Sequence, residues 1–140
     1  MPLTLAEAQR IVAGAIAEAR KHNAQISVTV CDAEGRLVAL NRMDGAAAEA
    51  NHGSIGKAIA AASFGKSSGA SGLSGDIFPL RTGTVIGEGL PVDHRRGGLP
   101  VVGDAGVEGG CGVDGAGGGE ENEACARAGL AMARTSRHDR

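Results

Sequence analysis

A chain of 140 residues with a formal net charge of −2 has room for one domain with a single core, and not for a dinucleotide-binding domain plus a substrate domain. That charge leaves no dense basic face for nucleic acid or an anionic membrane, and with two Phe and no Tyr or Trp the aromatic platform for stacked bases is missing. No apolar run approaches the ~20 residues of a membrane span, and the start MPLTLAEAQR lacks the charged-then-apolar plan of a signal peptide, so a cytoplasmic protein is expected.

In chain order, Thr4 followed three residues later by Glu7 forms a capping box, and Leu5, Ala8, Ile11, Val12, Ala15, Ile16 and Ala19 recur at helical spacing. A helix over 5–22 is expected. Ile26, Val28 and Val30 then alternate as a strand, Asp32 to Gly35 supply turn residues, and Leu37 to Leu40 resume an apolar strand, which makes a hairpin. Ile55, Ile59, Ala62 and Ser63 mark a second helix over 54–64. Residues from Lys66 to Gly98 hold neither period for long, and read as a long loop with at most a short helical turn; loops of that length are usually functional or interface-forming. Two short strands follow around a Gly103-Asp104-Ala105-Gly106 turn, and then a helix from EENEACARAGLAMAR, acidic at its start and basic at its end. The order is α-β-β-α-loop-β-β-α with hairpins in place of crossovers, so the fold class is α+β, one antiparallel sheet flanked by helices. Residues 1–135 form the domain and 136–140 a basic, solvated tail.

Gly110, Gly112 and Gly115 spell G-x-G-x-x-G. A dinucleotide fingerprint would place these glycines after the first strand of a βαβ unit; here they follow the last strand, and only one helix remains. Exposed backbone N–H groups at a strand-to-helix junction still attract anions, although Glu120, Glu121 and Glu123 would repel a phosphate there. Cys31, Cys111 and Cys125 are odd in number and widely spaced, which fits neither a disulfide framework nor a cysteine zinc site.

Four segments in order, ISVTVCDAEGRLVALNRMDGA, SIGKAIAAASFGKSS, GGLPVV and VEGGCGVDGAGGGEENEACARAGLA, together resemble the GlcG/HbpS-like proteins. That group includes the C-terminal module of PduO-type corrinoid adenosyltransferases, and the resemblance spans residues 3–133. The RMDGA signature falls on Arg42 to Ala46, a looser helix pattern on Ser54 to Ala62 with Lys57 at its lysine, GGxPI on Gly97 to Val101, and the last motifs on Gly109 to Gly115 and Glu121 to Gly129. The resemblance implies a profilin-like fold with a five-stranded antiparallel sheet, homo-oligomers, and small-molecule ligands that in some members are haem. Asp114 stands where serine is usual and Asn122 where aspartate is usual, which implies a ligand preference of its own if that junction forms the pocket.

Haem requires an axial ligand and an apolar slot. The options are His22, His52, His94 and His138 with Met43, Cys111 and Cys125; His52 and His94 stand nearest the family motifs. Arg42, Arg95 and Arg96 would suit a carboxylate or a propionate, because guanidinium offers a bidentate fork, though Arg42 and Asp44 equally suit a structural pair. Lys57 reads as a snorkelling lysine. The ligand-binding candidates are thus Arg42, Asp44, His52, Lys57, Arg95, Gly97, Gly98, Gly112 and Gly115. For an enzyme acting on a small organic acid, Asp114, Glu123 and His94 are the catalytic candidates, with Asp114 and Glu123 close enough for one to titrate high. No H-x-x-x-H or H-E-x-x-H spacing supports a metal site, and neither GLSGD nor Lys66-Ser67-Ser68 sits in a nucleophile elbow or phosphate loop.

Overall fold

The computed structural model describes residues 2–70, 77–78 and 92–138. Helix α1 (Leu5–Lys21) begins as its capping box dictates: Thr4 accepts from the Glu7 N–H at 3.1 Å, and Glu7 accepts from the Thr4 N–H at 3.2 Å. Strands β1 (Ser27–Asp32) and β2 (Leu37–Arg42) form the expected hairpin. Gly35, at φ 78°, and the Asp32 side chain, which accepts from the N–H groups of Glu34 and Arg36, close its turn.

Helix α2 (Glu49–Phe64) starts five residues before the expected Ser54. Its N-cap, Ala48, has no side-chain hydrogen bond to announce it, so the helix is held by packing and not by a cap. A 3₁₀ turn over Ser68–Ala70 and the two-residue strands β3 (Ile77–Phe78) and β4 (Val92–Asp93), paired with each other, are the regular elements among the described residues of the long loop; its serines Ser71 and Ser74 lie outside the described residues. Strands β5 (Gly98–Gly103) and β6 (Gly106–Asp114) form the second hairpin about the expected turn. Helix α3 runs from Gly119 to His138, into the segment read as a tail.

Among the described residues the main sheet is antiparallel, four-stranded and ordered β2-β1-β6-β5. The period of two along a strand sorts its residues into two layers. Val28, Val30, Cys111 and Val113 face α1 and α3, with Ala8, Ile11, Val12, Ala126 and Leu130 completing that core. Ser27, Thr29 and Cys31 face α2 on the other side, beside Gly110 and Gly112. There the helix lies directly on strand backbone: a Cβ at Gly112 would stand 2.1 Å from the Ser54 carbonyl oxygen, and one at Gly110 2.1 Å from that of Ala58. Gly110 and Gly112, the first two glycines of the G-x-G-x-x-G pattern, therefore let α2 reach the sheet, a packing role. None of the described helices is long and apolar enough to cross a membrane.

Candidate functional site

The registers Ser27 to Arg42, Ser27 to Asp114 and Gly98 to Gly112 gather one end of every main strand, together with the starts of α2 and α3. Of the site residues expected from sequence, Asp114, Lys57, Arg95, Gly97, Gly98 and Gly112 come together at this end. Asp114, the last residue of β6, turns toward α2, where Gly53 makes space for it; a Cβ at Gly53 would overlap its Oδ2. Beneath it lies Lys57, 2% exposed, whose Nζ donates to the Val113 carbonyl oxygen at 3.1 Å and sits 3.2 Å from Asp114 Oδ1. Its ammonium does not snorkel to water as expected. Gly97, Gly98 and Gly112 crowd its stem and backbone, so the chain has no outward path. Burial pulls the Lys57 pKa down, and the carboxylate of Asp114 works against that pull.

A second ion pair adjoins the first. Arg95 Nε donates to both carboxylate oxygens of the fully buried Asp93, at 3.0 and 3.1 Å, and its guanidinium reaches to 3.8 Å from Asp114 Oδ2. Ser68 staples this segment to the sheet: its hydroxyl donates to the Arg95 carbonyl at 2.6 Å and accepts from the Gly98 N–H at 2.9 Å. Asp93, Ser68 and Gly53 were missed in the sequence. No local signal marks Gly53, which stands one residue before the expected helix between His52 and Ser54.

Glu123 is occupied elsewhere. Its carboxylate accepts from Arg96 Nε at 2.9 Å, Arg127 at 2.9 Å and the Ser67 hydroxyl at 3.0 Å. Burial pushes its pKa up, but these donors outweigh burial and leave it lowered. It is a held anion and not the high-titrating partner expected beside Asp114. His94 is 3% exposed, with its ring 5.5 Å from that of Phe64, and burial lowers its pKa. His52 is exposed on α2, one residue before Gly53. Arg42 and Asp44, both exposed, form no ion pair among the described residues; Arg42 donates to the Ala46 carbonyl instead.

Between these groups and the start of α3 lies a cleft of about 630 Å³, lined by Arg95, Arg96, Asp114, Gly115, Gly117, Gly118, Gly119 and Asn122. Gly115 and Gly117 both adopt φ 103°, the left-handed turn that carries the chain from β6 into α3. The cleft combines guanidinium and backbone donors with one carboxylate, which suits a ligand bearing a carboxylate. No His, Cys, Asp and Glu cluster among the described residues is arranged to hold a metal ion.

The family model described as haem degrading protein HbpS-like matches residues 3–131. The chain belongs to this HbpS-like family. A double mutant of HbpS from Streptomyces reticuli is 28% identical, superposes with a TM-score of 0.78, and is covered over 87% of its length by 94% of this chain. The Klebsiella pneumoniae protein ORFY is 27% identical with a TM-score of 0.76, over 94% of this chain and 90% of that one. A PduOC–haem complex, at 20% identity, has a TM-score of 0.77 over 94% of this chain and 95% of that one, a likeness of fold. No curated protein sequence matches this HbpS-like chain.

Proposed function

We propose that this chain is a small-ligand-binding module, assembled as a homo-oligomer, whose ligand carries carboxylates and is haem or a related tetrapyrrole. The observation that carries this reading is the cleft of about 630 Å³ with Arg95 and Arg96 in its wall. The family's description as haem-degrading and the haem in the PduOC complex support haem as the candidate.

Each arginine is about half exposed with one guanidinium edge paired to Asp93 or Glu123, so a propionate would add to those carboxylates or compete with them. None of the residues lining the cleft is a His, Met or Cys. Cys31, Cys111 and Cys125 lie in the core at 0–1% exposure and do not line the cleft, so no cysteine is offered as an axial ligand. His52, open to solvent beside Gly53, is the axial candidate, ahead of the buried His94. A bound haem would supply iron-centred chemistry; the chain's own part is to clamp its carboxylates and orient it. The test is an absorption titration with hemin on the wild type, Arg95→Ala, Arg96→Ala and His52→Ala. A saturable Soret shift that the arginine variants weaken and His52→Ala alters in shape is expected. A non-saturating titration removes haem. Sedimentation at micromolar concentration tests the assembly, and a monomer alone would refute it.

One observation favours a second reading, an enzyme acting on a small organic acid: a buried lysine of lowered pKa under a carboxylate in a cleft wall. Asp114 would then move a proton while Arg95 holds the substrate carboxylate. Incubation of small organic acids in deuterated water, followed by NMR, should show α-proton exchange that Asp114→Ser abolishes.

A further inference from the structure

The wall of the cleft opposite Asp114 is formed by the start of α3, and the chemistry of that wall differs from the rest. Gly118, immediately before the helix, has no side chain with which to cap it, and the first intrahelical contact here is the Asn122 N–H donating to the Gly118 carbonyl at 2.9 Å. The N–H groups of Gly119, Glu120 and Glu121 thus have no partner within the helix. Asn122 itself is 5% exposed and lines the cleft. Its Oδ1 accepts from the Ala116 N–H at 2.8 Å, which fixes the amide so that Nδ2 points away from that turn. Nδ2 has no hydrogen-bond partner among the described residues, and it is not sealed from solvent. A buried amide donor left open in a cleft wall, beside a helix start with spare N–H groups, is a seat prepared for an acceptor.

The charges around this seat select the acceptor. Glu120 and Glu121 lie exposed in the first turn, and the Glu121 carboxylate leans back over Gly118, where a Cβ would meet its Oε2 at 2.5 Å. A dianionic phosphate would be repelled by these exposed carboxylates more strongly than a planar monoanion, which needs only the amide and one or two backbone donors. We infer that Asn122 and the first turn of α3 form the subsite for one carboxylate of the ligand, with Asn122 as its specificity-determining residue. This rests on the reading of the cleft as a carboxylate site.

Asn122→Asp isolates the effect. Aspartate keeps the oxygen that accepts from Ala116 and places a negative charge in the first turn of a helix, where the dipole favours it, so the melting temperature should stay level or rise. The probe is sodium propionate, titrated into the ¹⁵N-labelled full chain at constant ionic strength, with sodium phosphate in parallel. Propionate should shift the Asn122 side-chain amide and the amides of 119–121 saturably. Asn122→Asp should weaken it about tenfold or more, the worth of a hydrogen bond to a charged group. Equal propionate affinity in Asn122→Asp, shifts that map elsewhere, or phosphate binding ahead of propionate would each overturn the subsite. Hemin that binds wild type and Asn122→Asp alike would overturn it while leaving the proposed function standing; binding of neither hemin nor propionate would remove both.

Discussion

Lys57 sits at the centre of the candidate site because its neighbours leave it nowhere else to go. Its ammonium has Asp114 and the Val113 carbonyl as partners, and glycines close the channel around its stem. Removing one member of such a pair costs more than the pair itself contributes, since a partly buried charge is then stranded. Lys57→Met, which fills similar volume, should destabilise the protein by ~3 kcal/mol in urea denaturation. Adding Asp114→Ser should restore part of that loss, as a double-mutant cycle would show. A Lys57→Met variant as stable as wild type would mean that the pair carries no weight. At this scale the sequence was half legible. The lysine and the aspartate were both singled out, but their contact depends on a strand end meeting a helix flank, which local spacing does not encode. Asp93 was missed for the same reason: only in the folded chain does burial make its pairing with Arg95 obligatory.

Among the elements, α1 was readable to within a residue because its start is written in side chains: a capping box and a helical apolar stripe. The opposite case is α2. Its apolar residues do not form one stripe, since it is covered nearly all round, with Ala50, Ser54, Ala58, Ile59 and Ala61 all buried, and its first turn has no cap. The sheet was legible through its alternation and its turns. The role of the glycines in β6 was not, because a glycine that admits a helix backbone and one that cradles a phosphate look alike in one dimension. Gly112→Ala separates the two. Its Cβ would meet the Ser54 oxygen and, at 2.5 Å, the Ala58 nitrogen, both of them backbone, so α2 must shift. A loss of about 3 kcal/mol, at the upper end for overpacking, is expected in chemical denaturation. An unchanged midpoint would show that α2 is not seated where the structure places it.

For the molecule as a whole, titration sets the range of pH over which it is firm. The thiols of Cys31, Cys111 and Cys125 lie well above their ordinary 9.0 in the folded chain. Their contribution is complete below about pH 9 and disappears as pH climbs toward the folded values, because the unfolded chain releases those protons first. Stability should therefore fall above pH 9, by up to roughly 1.4 kcal/mol per pH unit for each thiol. Lys57, lowered on folding, acts in the opposite sense, one group against three. On the acid side the lowered Glu123 contributes above its ordinary 4.5 and loses that contribution as pH drops through its folded value. Urea midpoints from pH 2 to 11 should form a plateau with two shoulders, and Cys111→Ala should soften the alkaline one. A flat alkaline limb would contradict the burial of the thiols. The seating of α2 on bare strand has a mechanical meaning as well. Helices cushioned by side chains can slide a little over a sheet, but two backbones in direct contact move as one plate, and that plate carries both Lys57 and Asp114. The floor of the cleft is therefore a fixed template. On the proposed reading, accommodation of a ligand falls to the opposite rim, the arginine segment and the glycine turn.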